Sequence, residues 1–326
     1  MPQQVRRRFQ KTVKYSANNQ ESELLSRGMV YRELKLRLQG QLTCTAGNNT
    51  QALTLRGDEW AAVKRVDIVA NNTDVIRSIK GADLWWLNFF FYGMAPETVS
   101  SIGGGGANPS FDTELVLPFW MPRSIRPIDT ALDARELSDL KIVVTWGDYT
   151  DINGSATGFT TNPTLEVSSL ESFGVKGPFS QFRLFHIERE VTADNPQFQI
   201  DLPVGPMYRG FMAYFTDGGS DSGSVLNNWK WISGTTVYAD VKEKDLHEEY
   251  LIRHGIPRNP SRRGNANDAD GIYMYDHVTD GYLSESVDSL GFSELQIELD
   301  VTKGTGTTKV VVYPLQVIPV RGGANQ

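Results

Sequence analysis

From Tyr31 onward, apolar and polar residues alternate. Leu34, Leu36, Leu38 and Leu42 interleave with Glu33, Lys35, Arg37, Gln39 and Gln41. A period of two puts the leucines on one face of a long strand and the charges on the other. Val66 and Ile68 flank Asp67 in the same way, and Phe111 to Phe119, Leu140 to Trp146 and Leu165 to Val167 are also strand-like. In the second half the strand candidates are Phe182 to Val191, Gln197 to Leu202, Tyr208 to Phe215, Val310 to Leu315 and Val317 to Val320. Asn, Asp, Gly and Pro punctuate these segments, as at Asn71-Asn72. The pattern predicts antiparallel strands with one wet face each.

Two stretches carry one order of signals. Polar Asn72-Thr73-Asp74 leads into Val75, then Lys80, Asp83 and Leu84, and stops at Gly93. Gly234-Thr235-Thr236 leads into Val237, then Lys242, Asp245 and Leu246, and stops at Gly255. Each predicts a strand, a polar break, a helix and a glycine stop. Leu140 to Val144 has a second echo at Leu295 to Leu299, in the right order after the first. The segment Phe182 to Val191 is placed opposite the leucine strand. With 326 residues the chain is long enough for two domains. Many strands without βαβ alternation mean sandwiches or barrels, and eight strands in two sheets make a jelly roll. The expected fold is all-β: two tandem eight-stranded jelly rolls with short helices in the loops and a basic N-terminal arm. The boundaries are 1–28 for the arm, 29–172 for the first jelly roll, 173–181 for the linker, 182–321 for the second jelly roll and 322–326 for the tail.

Charge is informative only locally. The formal net charge of -7 gives no general nucleic-acid-binding surface. Arg6, Arg7, Arg8, Lys11 and Lys14, however, form a basic run with no acid among them. Such a run suits an arm facing an anionic surface. The most apolar segment, Leu84 to Tyr92, is too short to cross a membrane. Trp85, Trp86, Phe89 and Phe90 within it are read as core or interface aromatics.

Catalytic chemistry is thin. Cys44 is the single cysteine, so no disulfide forms within the chain, and a chain of this kind suits a reducing cytoplasm. His186, His247, His254 and His277 make no zinc signature, and no Gly-x-Ser-x-Gly elbow occurs. Gly103 to Gly106 lack the Lys-Ser/Thr of a phosphate loop and are read as a flexible connection. The run from Asn265 to Gly271 has Ala266 and His277 where a helix-loop-helix calcium site needs acids, which leaves Asp268 and Asp270 as weak metal candidates. No catalytic residue and no cofactor is assigned, although a structural cation such as calcium is compatible with the sequence. The long polar loops, Thr216 to Ser224 and Pro257 to Gly281, suit functional or interfacial roles.

Arg27 to Leu34, Gly57-Asp58-Glu59-Trp60, Thr73 to Arg77, Leu84-Trp85-Trp86-Leu87, Leu117 to Pro122 and Asp129 to Arg135 together resemble the major coat proteins of corticovirus-like, membrane-containing icosahedral bacteriophages. The likeness is densest from about residue 27 to residue 170. It implies a double jelly roll of the lineage that includes tectiviruses and adenoviruses. It further implies a homotrimer with a pseudo-hexagonal outline, lying beside neighbouring capsid trimers, penton and minor capsid proteins. The basic arm would face an internal viral lipid membrane, with no specific nucleic acid partner. The location would be the virion, after assembly in the host cytoplasm. The alternatives are a carbohydrate-binding β-sandwich protein or glycosidase, and a viral receptor-binding spike.

Overall fold

The structure, a computed structural model, describes residues 4–44, 58–92, 99–100, 108–154, 156–254 and 271–319. It divides into two compact units, Met1–Arg123 with Pro127–Phe182, and Ser124–Arg126 with Arg183–Gln326.

The first unit contains β1 (Gln4–Lys14), β2 (Gln20–Leu24), β3 (Val30–Cys44), β4 (Val63–Ala70), β5 (Asp74–Ile79), helix α1 (Gly81–Tyr92), β6 (Ser110–Pro118), β7 (Leu140–Trp146) and β8 (Ala156–Phe173). One sheet runs β1–β8–β3–β6 and the other β2–β7–β4–β5, all antiparallel. The leucines of β3 form its core as the alternation requires, with Leu34, Leu36, Leu38 and Leu42 each 0% exposed. Gly40 interrupts that row because a Cβ there would lie 2.5 Å from the Phe111 ring, which fills the space instead. Between β4 and β5 the chain reverses at Asn71 and Asn72, both in the left-handed region at φ 50° and 69°. Asn tolerates that region, and paired left-handed residues make the tight turn whose twist matches a hairpin.

The second unit repeats the plan with β9 (Ile187–Val191), β10 (Asn195–Asp201), β11 (Met207–Asp217), β12 (Leu226–Ser233), β13 (Thr236–Lys242), helix α2 (Glu243–His254), β14 (Ile272–Asp276), β15 (Gln296–Val301) and β16 (Thr308–Ile318). Its sheets run β9–β16–β11–β14 and β10–β15–β12–β13. Each of these eight strands thus has a counterpart eight labels earlier in the first unit, and each of the two helices lies between the fifth and sixth labelled strands of its unit. This is the jelly-roll order twice. Tyr208, Phe211, Trp229 and Trp231 fill the second core, where Phe211 meets Trp231 edge-on at 4.9 Å.

Three expectations need adjustment. Residues 4–14 and 20–24, expected in an arm, are the first two strands of the first jelly roll. The counterpart of the leucine strand β3 is β11, while the segment from 182 to 191 supplies β9, the counterpart of β1. Ser124–Arg126 groups with the second unit although it lies within the first in sequence. Asp268 and Asp270, the glycines from 103 to 106, the tail from 322 and most of the 257–281 loop lie outside the described residues.

Candidate assembly surface

Strand β1 pairs along its length with β8, from Gln4 opposite Phe173 to Lys14 opposite Thr164. Its sequence hid this because the residues that point inward are polar. Glu171 of β8 is 0% exposed, and its carboxylate accepts from Arg6 Nη2 at 2.6 Å, from Gln10 Nε2 at 2.7 Å and from Ser169 Oγ at 2.8 Å. A buried carboxylate needs such donors, and here β1 supplies two of them. A bulge between Phe9 and Lys11 lets Gln10 join this cluster, and only Val13 continues the apolar inner row.

The five basic residues consequently divide. Arg6 is committed to Glu171, and Lys11 lies 3.7 Å from Glu23 of β2. Arg7, Arg8 and Lys14 are exposed, together with Val5 at 50% and Phe9 at 58%. Phe9 and Val5 stand on the outermost strand of their sheet, where an unpaired backbone edge is ordinarily guarded by charge. Cationic side chains with an aromatic among them are what that edge presents.

The aromatic run forms α1. Trp85, Trp86 and Phe90 are buried within the first unit, and Phe89 is half-buried and stacks on Trp85 at 5.7 Å. Close packing at one residue and hydrogen bonding at another fix the helix. Gly81 packs so tightly that a Cβ would lie 2.3 Å from the Trp60 carbonyl oxygen. Asn88, also buried, donates to the Val116 carbonyl and accepts from the Val116 N–H, both at 2.8 Å, and so pairs with β6 much as a neighbouring strand would. The corresponding helix α2 is polar: Leu246 is buried, Lys244 and Glu248 are exposed, and Glu243 accepts from the Tyr273 hydroxyl at 2.8 Å.

One end of the second unit has a distinct character. The β10–β11, β12–β13 and β14–β15 connections leave the sandwich at the same end, since its strands are antiparallel. Ser289 ties two of them, accepting from the Gly205 N–H at 2.8 Å and donating to the Pro206 carbonyl at 2.6 Å. Tyr238 and Phe292 stack at 5.9 Å. Val204, Val237, Tyr282 and Leu290 are exposed there by 47–57%. Segments 201–206, 233–238 and 277–295 carry Asp201, Asp280, Glu285, Asp288 and Glu294 but no Lys or Arg. This end is apolar and acidic, whereas the β1 edge is apolar and basic. At the opposite end, Asp217 gathers the Thr305 and Gly306 N–H groups at 2.9 and 2.8 Å, ordering the loop that begins at Thr216. Among the described residues, no three His, Cys, Asp or Glu side chains converge as a metal site.

The sequence matches no family model and no curated protein. Solved structures do match. The STIV major capsid protein superposes with a TM-score of 0.75 at 11% identity, covering 97% of both chains. The major capsid protein P2 of bacteriophage PM2 gives 0.63 at 14% identity, covering 98% of this chain and 100% of that one. A PBCV-1 capsid chain gives 0.64 at 13% identity, covering 97% and 94%. The chain is a double jelly roll. At such low identity the likeness is one of fold. The three neighbours are capsid proteins of viruses, and the coverage leaves neither unit of this double jelly roll without a counterpart.

Proposed function

We propose that this double jelly roll is a major capsid protein, a structural subunit without catalytic activity, that trimerises into pseudo-hexagonal capsomers and builds an icosahedral shell over an internal membrane. The observation that carries this reading is the repeated strand order. Two similar sandwiches per chain allow three chains to present six similar lobes, and closed rotational symmetry is the usual outcome of such heterologous contacts. The neighbours' capsid role supports it. The exposed Arg7, Arg8 and Lys14 with Val5 and Phe9 suit the lipid surface, in place of the larger basic set expected of a free arm. The apolar, acidic end of the second unit suits contacts with neighbouring trimers or with penton and minor capsid proteins. Assembly in the host cytoplasm fits a chain whose one cysteine is free.

Native mass measurement and negative-stain microscopy of the purified protein test the capsid reading. The expected result is a trimer with a six-lobed outline, and a stable monomer at high concentration would overturn it. Sedimentation with vesicles of anionic phospholipid tests the membrane contact separately. Replacing Arg7 and Arg8 by Glu should reduce binding at least tenfold, whereas equal binding would remove the lipid role and leave the capsid reading standing.

A further inference from the structure

Glu59 lies in a short 3-10 helix, Asp58–Ala62, on which α1 and the one-turn helix Tyr149–Ile152 both pack. Its side chain is 0% exposed, and neither carboxyl oxygen has a partner at hydrogen-bond geometry among the described residues. This contrasts with Glu171, equally buried but surrounded by donors. A buried carboxylate without partners is among the costliest groups a core can hold, and the neutral acid is far cheaper to bury. The Thr113 hydroxyl accepts from the Trp60 indole N–H at 2.8 Å and keeps its own proton to donate, so it is the donor nearest to Glu59 and its effect there only partly offsets the burial. The next residue, Trp60, is the one whose carbonyl abuts Gly81, so Glu59 stands at the seat of α1.

We propose that Glu59 is a proton-operated latch on that seat: as the neutral acid it permits the close packing of residues 58–62 against α1, and loss of its proton loosens α1 from the first jelly roll. Burial pushes the carboxyl up to about 7, Asp58 adds to the rise, and the nearby Thr113 hydroxyl and the residue's own backbone offset only part of it. The charged groups on the packed elements are Asp58 beside it, Lys80 and Asp83 at the start of α1, Lys64, Arg65 and Asp67 on β4, and Asp148 and Asp151 at the one-turn helix. Lys64 pairs with Asp151 at 3.3 Å and Arg65 with Asp67 at 2.8 Å. Of all these, Asp58 acts coulombically on Glu59, and it too favours the proton. Because the folded value lies above the ordinary 4.5, the stabilisation is complete below about 4.5 and is lost as pH rises towards about 7.

The test compares the full chain with Glu59→Gln, which mimics the neutral acid. Between pH 5 and pH 8 the melting temperature of the first unit should fall by about 5 °C more in the native protein than in the variant. The α1 amides should lose hydrogen-exchange protection over the same range, beyond the intrinsic pH effect, in the native protein only. Equal pH dependence in both would overturn the latch. Should the variant fail to fold, carboxyl-carbon NMR of the glutamate-labelled native chain decides: a buried glutamate titrating near 7 supports the proposal, and titration of every glutamate near 4.5 removes it.

Discussion

Helices α1 and α2 occupy the same slot in two sandwiches of the same strand order, yet they are built from opposite materials. Helix α1 is overwhelmingly apolar, Asp83 and Asn88 apart, and is held by backbone proximity at Gly81 and by the Asn88 amide on Val116. A helix so nearly apolar all round belongs in a core, and here it closes the first unit's β6 side. Helix α2 combines a buried Leu246 with exposed Lys244 and Glu248. The slot therefore fixes where a helix forms, while the sequence within it decides whether that helix belongs to the core or to a surface. A duplicated architecture has been given two environments by changing one segment.

Substitutions can break this comparison. The largest effect is expected at Gly81. Gly81→Val puts a branched side chain where even a Cβ meets the Trp60 carbonyl, and should destabilise the first unit by ~3 kcal/mol in urea titration. A tolerated valine would show that α1 is not seated as described. Asn88→Ala strands the Val116 N–H and carbonyl and should cost ~2 kcal/mol, with faster amide exchange at Val116. The smallest effect is expected in α2, where Lys244→Ala should stay within about 0.5 kcal/mol of the native stability. A large loss there would mean that α2 is as deeply committed as α1, and the contrast would fail.

Much of this plan was legible in the chain. The turn, strand and helix signals beginning at Asn72 and Gly234 correspond to β5 with α1 and to β13 with α2, and the Leu140 and Leu295 echoes correspond to β7 and β15. Those elements obey periodicity because their inner faces are apolar. Strand β1 was hidden because Arg6 and Gln10 point at a buried glutamate, a contact made over a separation of 165 residues that no local pattern records. The second half was set out of frame for a related reason. The leucine strand is the most regular signal in the first half, but its counterpart β11 is buried at most positions and loses the alternation. Glu59 gave no signal beyond its place in a turn-like Gly-Asp-Glu-Trp run, since burial without partners is a property of the packing alone. The acidic, apolar end of the second unit also arises only when three distant connections are brought together.

The pairing of β1 with β8 has a consequence during synthesis. The ribosome makes Arg6 roughly 165 residues before Glu171, an interval of about 8–30 s at ordinary elongation rates. Throughout that time the first strand of the first jelly roll exists without its neighbour, and a plain alternating apolar strand would be free to pair with other nascent chains. Arginine and lysine along a strand disfavour such pairing, because like charges on two edges repel. The same charges are then partly consumed when β8 emerges and Glu171 takes up Arg6.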